Sequence, residues 1–207
     1  MRALLFLRSA QRVPTGRALG HSGRPVPRLV QPHPAGLVWQ LGSALTILGT
    51  PAAKEATIQA RIDTTRVSPD AYNAMRTLQS AVDAMGLEQS LQDLVRIRAS
   101  QINGCAFCLH MHFRDARKKG ESQERLDLIG AWREAPVFTA RERAALAWTE
   151  AVTLVADTHV PDDVYEAARA SFSDQELVNL TLAVVVINGW NRMMVAFRIP
   201  PSVARNN

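Results

Sequence analysis

Apolar positions recur every three or four residues from about Ile58 to the end of the chain, and no segment alternates with the period of two that a half-buried strand requires. The pattern predicts helix after helix. Ser68-Pro69 places a side-chain acceptor before a proline at the first helical position, and Gly86 stops the run, giving a helix over about 69–85. Leu87, Leu91, Leu94, Val95, Ala99 and Ile102 form a second helical stripe, interrupted by Arg98 and closed by Asn103-Gly104. A third helix is expected over about 105–119, ending at Gly120, and a short one over about 123–133 before Pro136. Thr139 with Glu142 and Ser173 with Glu176 are two capping boxes, each opening a long run, at about 140–156 and 174–197; Pro161 begins a shorter helix between them. The fold class is all-α.

Composition divides the chain in two. Seven of the 24 basic residues (Arg2, Arg8, Arg12, Arg17, Arg24, Arg28 and Lys54) precede the first acid, Glu55, leaving 17 basic against 19 acidic residues in the patterned body. The net charge of +5 therefore belongs to the N-terminal segment, and a nucleic-acid partner is not expected of a mildly acidic body. Six of the eleven prolines also lie there, and their density across Pro25 to Pro34 blocks both helix and sheet ladder. Residues 1–56 are expected to be a disordered basic extension, a targeting segment, or sequence read from an early start; 57–207 form the helical domain. The apolar runs at 3–7 and 37–48 fall short of the roughly 20 residues of a membrane-spanning helix, so no membrane segment is expected.

The chain has two cysteines, and both lie in Cys105-Ala-Phe-Cys108-Leu-His-Met-His112. Three residues apart at a helix start, the sulfurs can bridge, and either thiol can be acidified by the positive end of the helix dipole. His112, one turn beyond Cys108, is placed to take its proton or to steady the thiolate, whereas His110 points elsewhere. Two other readings stay open. Cys-x2-Cys-x3-His offers three ligands for zinc, with His110, His159 or a distant carboxylate as the fourth. Alternatively, both cysteines are inert core residues.

The run LQDLVRIRASQINGCAFCLHMH at 91–112, with TARERAALAWT at 139–149 and INGWNR at 187–192, resembles the alkyl hydroperoxidase D-like branch of the carboxymuconolactone decarboxylase family over about 60–200. The resemblance implies an all-helical homo-oligomer, a trimer or a hexamer built from dimers. It also implies a peroxidase in which glutamate, the CxxC pair and histidine relay protons, with no metal, haem or other cofactor. Carried over, Cys108 attacks the hydroperoxide and becomes a sulfenic acid, Cys105 resolves it as a disulfide, and His112 is the relay histidine. The family glutamate falls on Asp93, one methylene shorter, so a relay through it calls for a water or a backbone shift. Phe107 stands where the best-known peroxidase has a further histidine. An external dithiol would re-reduce the disulfide, a cycle compatible with a reducing cytosol. A redox-sensing or assembly module is the alternative, while lactone decarboxylation fits less well because members doing it generally lack the CxxC pair.

Other residues are expected to be structural. His159 reads as a capping or surface residue, Trp132, Trp148 and Trp190 as core or interface, and Arg192 as half of a buried ion pair. Asp162-Asp163 and Arg117-Lys118-Lys119 read as solvated charges at helix ends.

Overall fold

A computed structural model describes residues 58–203; the extension expected over 1–56 lies outside them. The order is α1 (Thr64–Val67), α2 (Pro69–Asp83), α3 (Gln89–Ile102), α4 (Ala106–Lys118), α5 (Gln123–Leu128), a 3₁₀ turn (Ile129–Ala131), α6 (Ala140–Thr153), α7 (Val155–Thr158), α8 (Asp162–Arg169) and α9 (Asp174–Ala196). The described residues contain no strand.

α3 is the central element. Leu91 and Val95 pack with Ala145 and Trp148 of α6 and Leu180 and Val184 of α9. Leu94 and Ile97 face the other way, into Leu126, Ile129, Trp132, Phe138 and Leu146. A helix buried on two sides leaves little room for water on its polar stripe, and Gln92, Asp93, Arg96 and Ser100 are buried as well. Asp93 and Arg96 line the space between α3 and the cysteine helix α4, and that space becomes the site.

Both capping boxes form, with reciprocal bonds at Thr139/Glu142 and Ser173/Glu176. Ser68 differs from expectation: it makes no side-chain cap, because it also closes α1, its N–H donating to the Thr64 carbonyl, and Pro69 alone opens α2. The helix expected over 123–133 tightens to a 3₁₀ turn after Leu128. Positions three apart superimpose in that geometry, and Ile129 and Trp132 both reach the core. The run expected to 156 breaks at Leu154, where the Thr158 hydroxyl donates to the Ala151 carbonyl at 2.8 Å and Leu154 and Val155 remain exposed.

α9 is long and apolar enough to cross a membrane by length and composition. It packs instead as a core helix, burying Leu177, Leu180, Val184 and Ile187 together with Asn188 and Asn191.

Candidate active site

The α3–α4 connection sets the cysteines. Gly104 adopts φ +62°, a conformation that costs a side-chain-bearing residue energy, and lets the chain double back so that the Cys105 N–H donates to the Ser100 carbonyl at 3.0 Å. Cys105 is the N-cap of α4, and its Sγ accepts from the Cys108 N–H at 3.3 Å. Both thiols are free, and each residue is 1% exposed.

The Cys108 S–H bonds to the Cys105 sulfur and, with the backbone N–H groups of Cys108 and Phe107 and the Asn191 amide, lowers the Cys105 thiol to about 7 against the opposing effect of burial. Cys108 is pushed up, first by that same hydrogen bond, then by burial and the neighbouring charge. The first negative charge therefore rests on Cys105.

The sulfurs border different cavities. Cys108 opens on one of about 380 Å³ between α2, α3, α4 and α9, which His112 and Asp93 also line. Cys105 borders another of about 460 Å³ against Ile199 and Pro200, and Phe107 and Met194 line both. The Cys108 cavity is amphipathic. Tyr72 and Trp190 meet edge to face, centroids 5.3 Å apart, and stand with Phe107 and Met111 against Arg76, Asp83, Arg96 and Lys119.

His112 is 9% exposed and held to about 4, chiefly by burial and secondarily by the nearby Arg96 cation. It is a neutral imidazole at pH 7, able to accept a hydrogen bond but carrying no charge to steady a thiolate. Asp93, 4% exposed, accepts from Lys119 Nζ with both oxygens at 3.0 Å and from Gln89 Nε2 at 3.1 Å; Arg96 lies 3.7 Å away. Asp93 thus shares the cavity of Cys108 and His112, while these bonds tie it to Lys119 and Gln89. Arg96 bonds Asp83 and, at 2.6 Å, Gln92 Oε1.

Several positions read differently from the sequence. Lys119 is not a freely solvated charge, because the buried Asp93 carboxylate draws it in. Arg192 has no carboxylate partner among the described residues; it is exposed and donates back to the Asn188 carbonyl and Oδ1 at 3.0 and 2.8 Å. Trp190 lines the cavity besides packing in the core, whereas Trp132 and Trp148 are core residues. His159 is an exposed left-handed C-cap of α7, and Asp162 and Asp163 sit in the first turn of α8. Arg96 and Asn191 were not singled out as site residues. Their sequence signal is a polar stripe within a core helix: Arg96 lies with Gln92, Asp93 and Ser100 on α3, and Asn191 follows Asn188 by three residues on α9. Among the described residues, no three of His, Cys, Asp and Glu gather as a metal site would.

Comparisons with known proteins agree with this architecture. Residues 69–151 match the model of the carboxymuconolactone decarboxylase family. An uncharacterized Bacillus subtilis protein, YdfG, is 35% identical over 136 residues, 66% of this chain and 92% of its own. A crystal structure from Agrobacterium tumefaciens, of a protein of unknown function proposed to be the antioxidant defence protein AhpD, superposes with TM-score 0.69 at 45% identity, covering 70% of this chain and 100% of that one. The debrominase Bmp8 shares the fold at 18% identity, with TM-score 0.62 over 68% of this chain and 75% of its own. With a relative matched along nearly its whole length, an all-helical fold and the CxxC pair at the start of α4, the chain belongs to the carboxymuconolactone decarboxylase family, in its AhpD-like branch.

Proposed function

We propose that this protein is a thiol-dependent peroxidase that reduces organic hydroperoxides or hydrogen peroxide through a Cys105/Cys108 dithiol–disulfide cycle. The observation that carries the reading is the sulfur pair itself: two free thiols three residues apart at a helix N-terminus, the Cys105 sulfur accepting from the Cys108 N–H, and Cys108 open to a cavity that His112 also lines. As a hydroperoxide enters, the Cys105 thiolate takes the Cys108 proton and the Cys108 sulfur attacks the terminal peroxide oxygen. The O–O bond breaks, giving a Cys108 sulfenic acid and an alkoxide that takes a proton from the cavity. Cys105 then attacks the sulfenic sulfur, releasing water and forming the disulfide. An external dithiol restores both thiols and leaves as a disulfide. The aromatic and thioether wall of the cavity suits an organic group on the peroxide.

In this reading His112 accepts and returns protons in the cavity, and Asp93 orients Lys119 toward it. A homo-oligomer, as the family resemblance implies, fits such a cycle, and a catalytic disulfide of this kind is compatible with a reducing cytosol. The testing experiment counts free thiols and measures intact mass before and after one equivalent of cumene hydroperoxide. Loss of both thiols with a two-dalton fall supports the cycle, and unreactive thiols refute it. Continued peroxide consumption with dithiothreitol present separates an enzyme from a one-shot redox sensor.

A further inference from the structure

One wall of the cavity that Cys108 opens on is a single face of α2, where Tyr72, Arg76, Gln79 and Asp83 recur at helical spacing and all line it. Most charges around the cavity already have partners. Arg96 is held by Asp83 and Gln92, Lys119 by both oxygens of Asp93, and Asp115 by Arg114 at 3.1 Å. Arg76 differs. It lines the same cavity, yet no carboxylate among the described residues pairs with it.

Its neighbours define what it can bind. Tyr72, one turn earlier on the same face, meets Trp190 edge to face, and Phe107 and Met111 extend that apolar surface toward Cys108. A guanidinium stays protonated at any physiological pH and offers a planar fork of donors that matches a carboxylate. Beside an apolar wall, water screens such a pair less than it does on an open surface. The cavity, about 380 Å³, is near the small end of the range for ligand sites, about 300–1,000 Å³, so it suits one compact molecule. A neutral hydroperoxide would use the aromatic wall and leave Arg76 to water. One that also carries a carboxylate uses the wall and the cation together.

We infer that the preferred substrate is a compact organic hydroperoxide bearing a carboxylate, and that Arg76 is the specificity-determining residue that selects it. The inference rests on the peroxidase reading for the reaction and deepens it by naming the substrate class. Arg76 acts on binding alone. The Cys108 sulfur still attacks the terminal peroxide oxygen and the O–O bond still breaks as described above, while the carboxylate keeps its charge and its partner throughout.

The experiment compares kcat/KM for cumene hydroperoxide and its para-carboxylate, with dithiothreitol as reductant, in the wild type and in Arg76→Leu, Arg76→Gln and Arg66→Leu. The two probes share the ring and the peroxide and differ by one charge. The wild type should prefer the carboxylate. Both Arg76 variants are expected to lose about tenfold of that preference, the effect of one charge-assisted pair. The loss should appear in KM with kcat nearly level, because the pair forms equally before and during O–O cleavage. Arg66, exposed on α1 and outside the cavity, changes the net charge by the same amount and should leave the preference in place.

Equal kcat/KM for the two probes in the wild type overturns the inference. So does a preference that survives in a folded Arg76 variant, or one that falls equally in Arg66→Leu, which would report overall charge. If circular dichroism shows that the leucine variant has lost its helices, the glutamine variant carries the test. Calorimetric titration with para-isopropylbenzoate, which has the carboxylate but no peroxide, separates the two readings. Binding that Arg76→Leu abolishes, with no peroxide consumed by the wild type, refutes the peroxidase reading and leaves Arg76 as a carboxylate site. Peroxide consumption with no such binding refutes the carboxylate site and leaves the peroxidase.

Discussion

Lowering the pH from 7 toward 4.5 is expected to cost this protein stability through one side chain, His112. In the unfolded chain an imidazole protonates near 6.5, whereas burial and the Arg96 and Lys119 cations hold His112 to about 4 in the fold. Between those values the unfolded state binds a proton that the folded state does not. Stability is therefore fully present above about pH 6.5 and falls as the pH drops toward 4, by roughly 2–3 kcal/mol at about 1.4 kcal/mol per unit. The carboxylates with lowered pKa, Asp63, Glu88, Glu142, Glu150 and Glu176, have the same sign, but their contribution is lost only below the ordinary carboxylate values of 3.8 for Asp and 4.5 for Glu. The window from 6.5 to 4.5 thus belongs mainly to His112. Urea denaturation at half-unit steps through it, in the wild type and in His112→Gln, measures the effect: the wild-type unfolding free energy should fall with pH while that of the variant stays nearly level. Parallel slopes for the two proteins would refute the reasoning and show that His112 is hydrated or protonated in the fold.

Cys108→Ser is expected to abolish peroxide consumption, and Cys105→Ser to permit one turnover and stall as a sulfenic acid that dimedone traps; full multiple turnover by Cys108→Ser would remove it as the attacking residue. Asp93→Asn keeps the shape of the side chain but removes the charge facing Lys119. Its kcat should fall several-fold with the melting temperature little changed, and an unaltered kcat would take Asp93 out of the mechanism. Glu150 accepts from Arg98 Nε and Trp132 Nε1, each at 2.8 Å, in a mostly buried cluster. Glu150→Ala leaves both donors without their carboxylate and should cost about 2–4 kcal/mol in chemical denaturation, whereas a loss near that of an exposed ion pair would show that water replaces the partner. Gly104→Ala meets no atom within 4 Å of its new Cβ, so its cost is the strain of φ +62° alone, about 1 kcal/mol; a larger loss of stability would show that the turn cannot relax.

Local signals were legible because their physics is local. A capping box is complete within four residues, and both form here as Thr139/Glu142 and Ser173/Glu176 predict. The stripe of Leu91, Leu94 and Val95 made α3 a core helix, and Asn103-Gly104 marked the turn that places Cys105 at the N-cap of α4. The CxxC pair and His112 were visible for the same reason, since three- and four-residue spacings on a helix fix neighbours.

Tertiary packing decided what lies around those sulfurs. Burial of α3 on two sides leaves its polar residues no water, so Asp93 draws Lys119 from the end of α4 across 26 positions of sequence. The pattern of α3 alone does not predict this, because an amphipathic stripe cannot say whether its polar face meets solvent or another helix. Asn191, 88 positions from Asn103, meets it only when α9 is laid beside the α3–α4 turn. The sequence by itself determined the main helices, the two capping boxes and the identity of the thiols. The tertiary structure decided which sulfur carries the first charge, which cavity each one meets and which distant polar groups face them, because pKa and access depend on burial and on partners that no local spacing encodes.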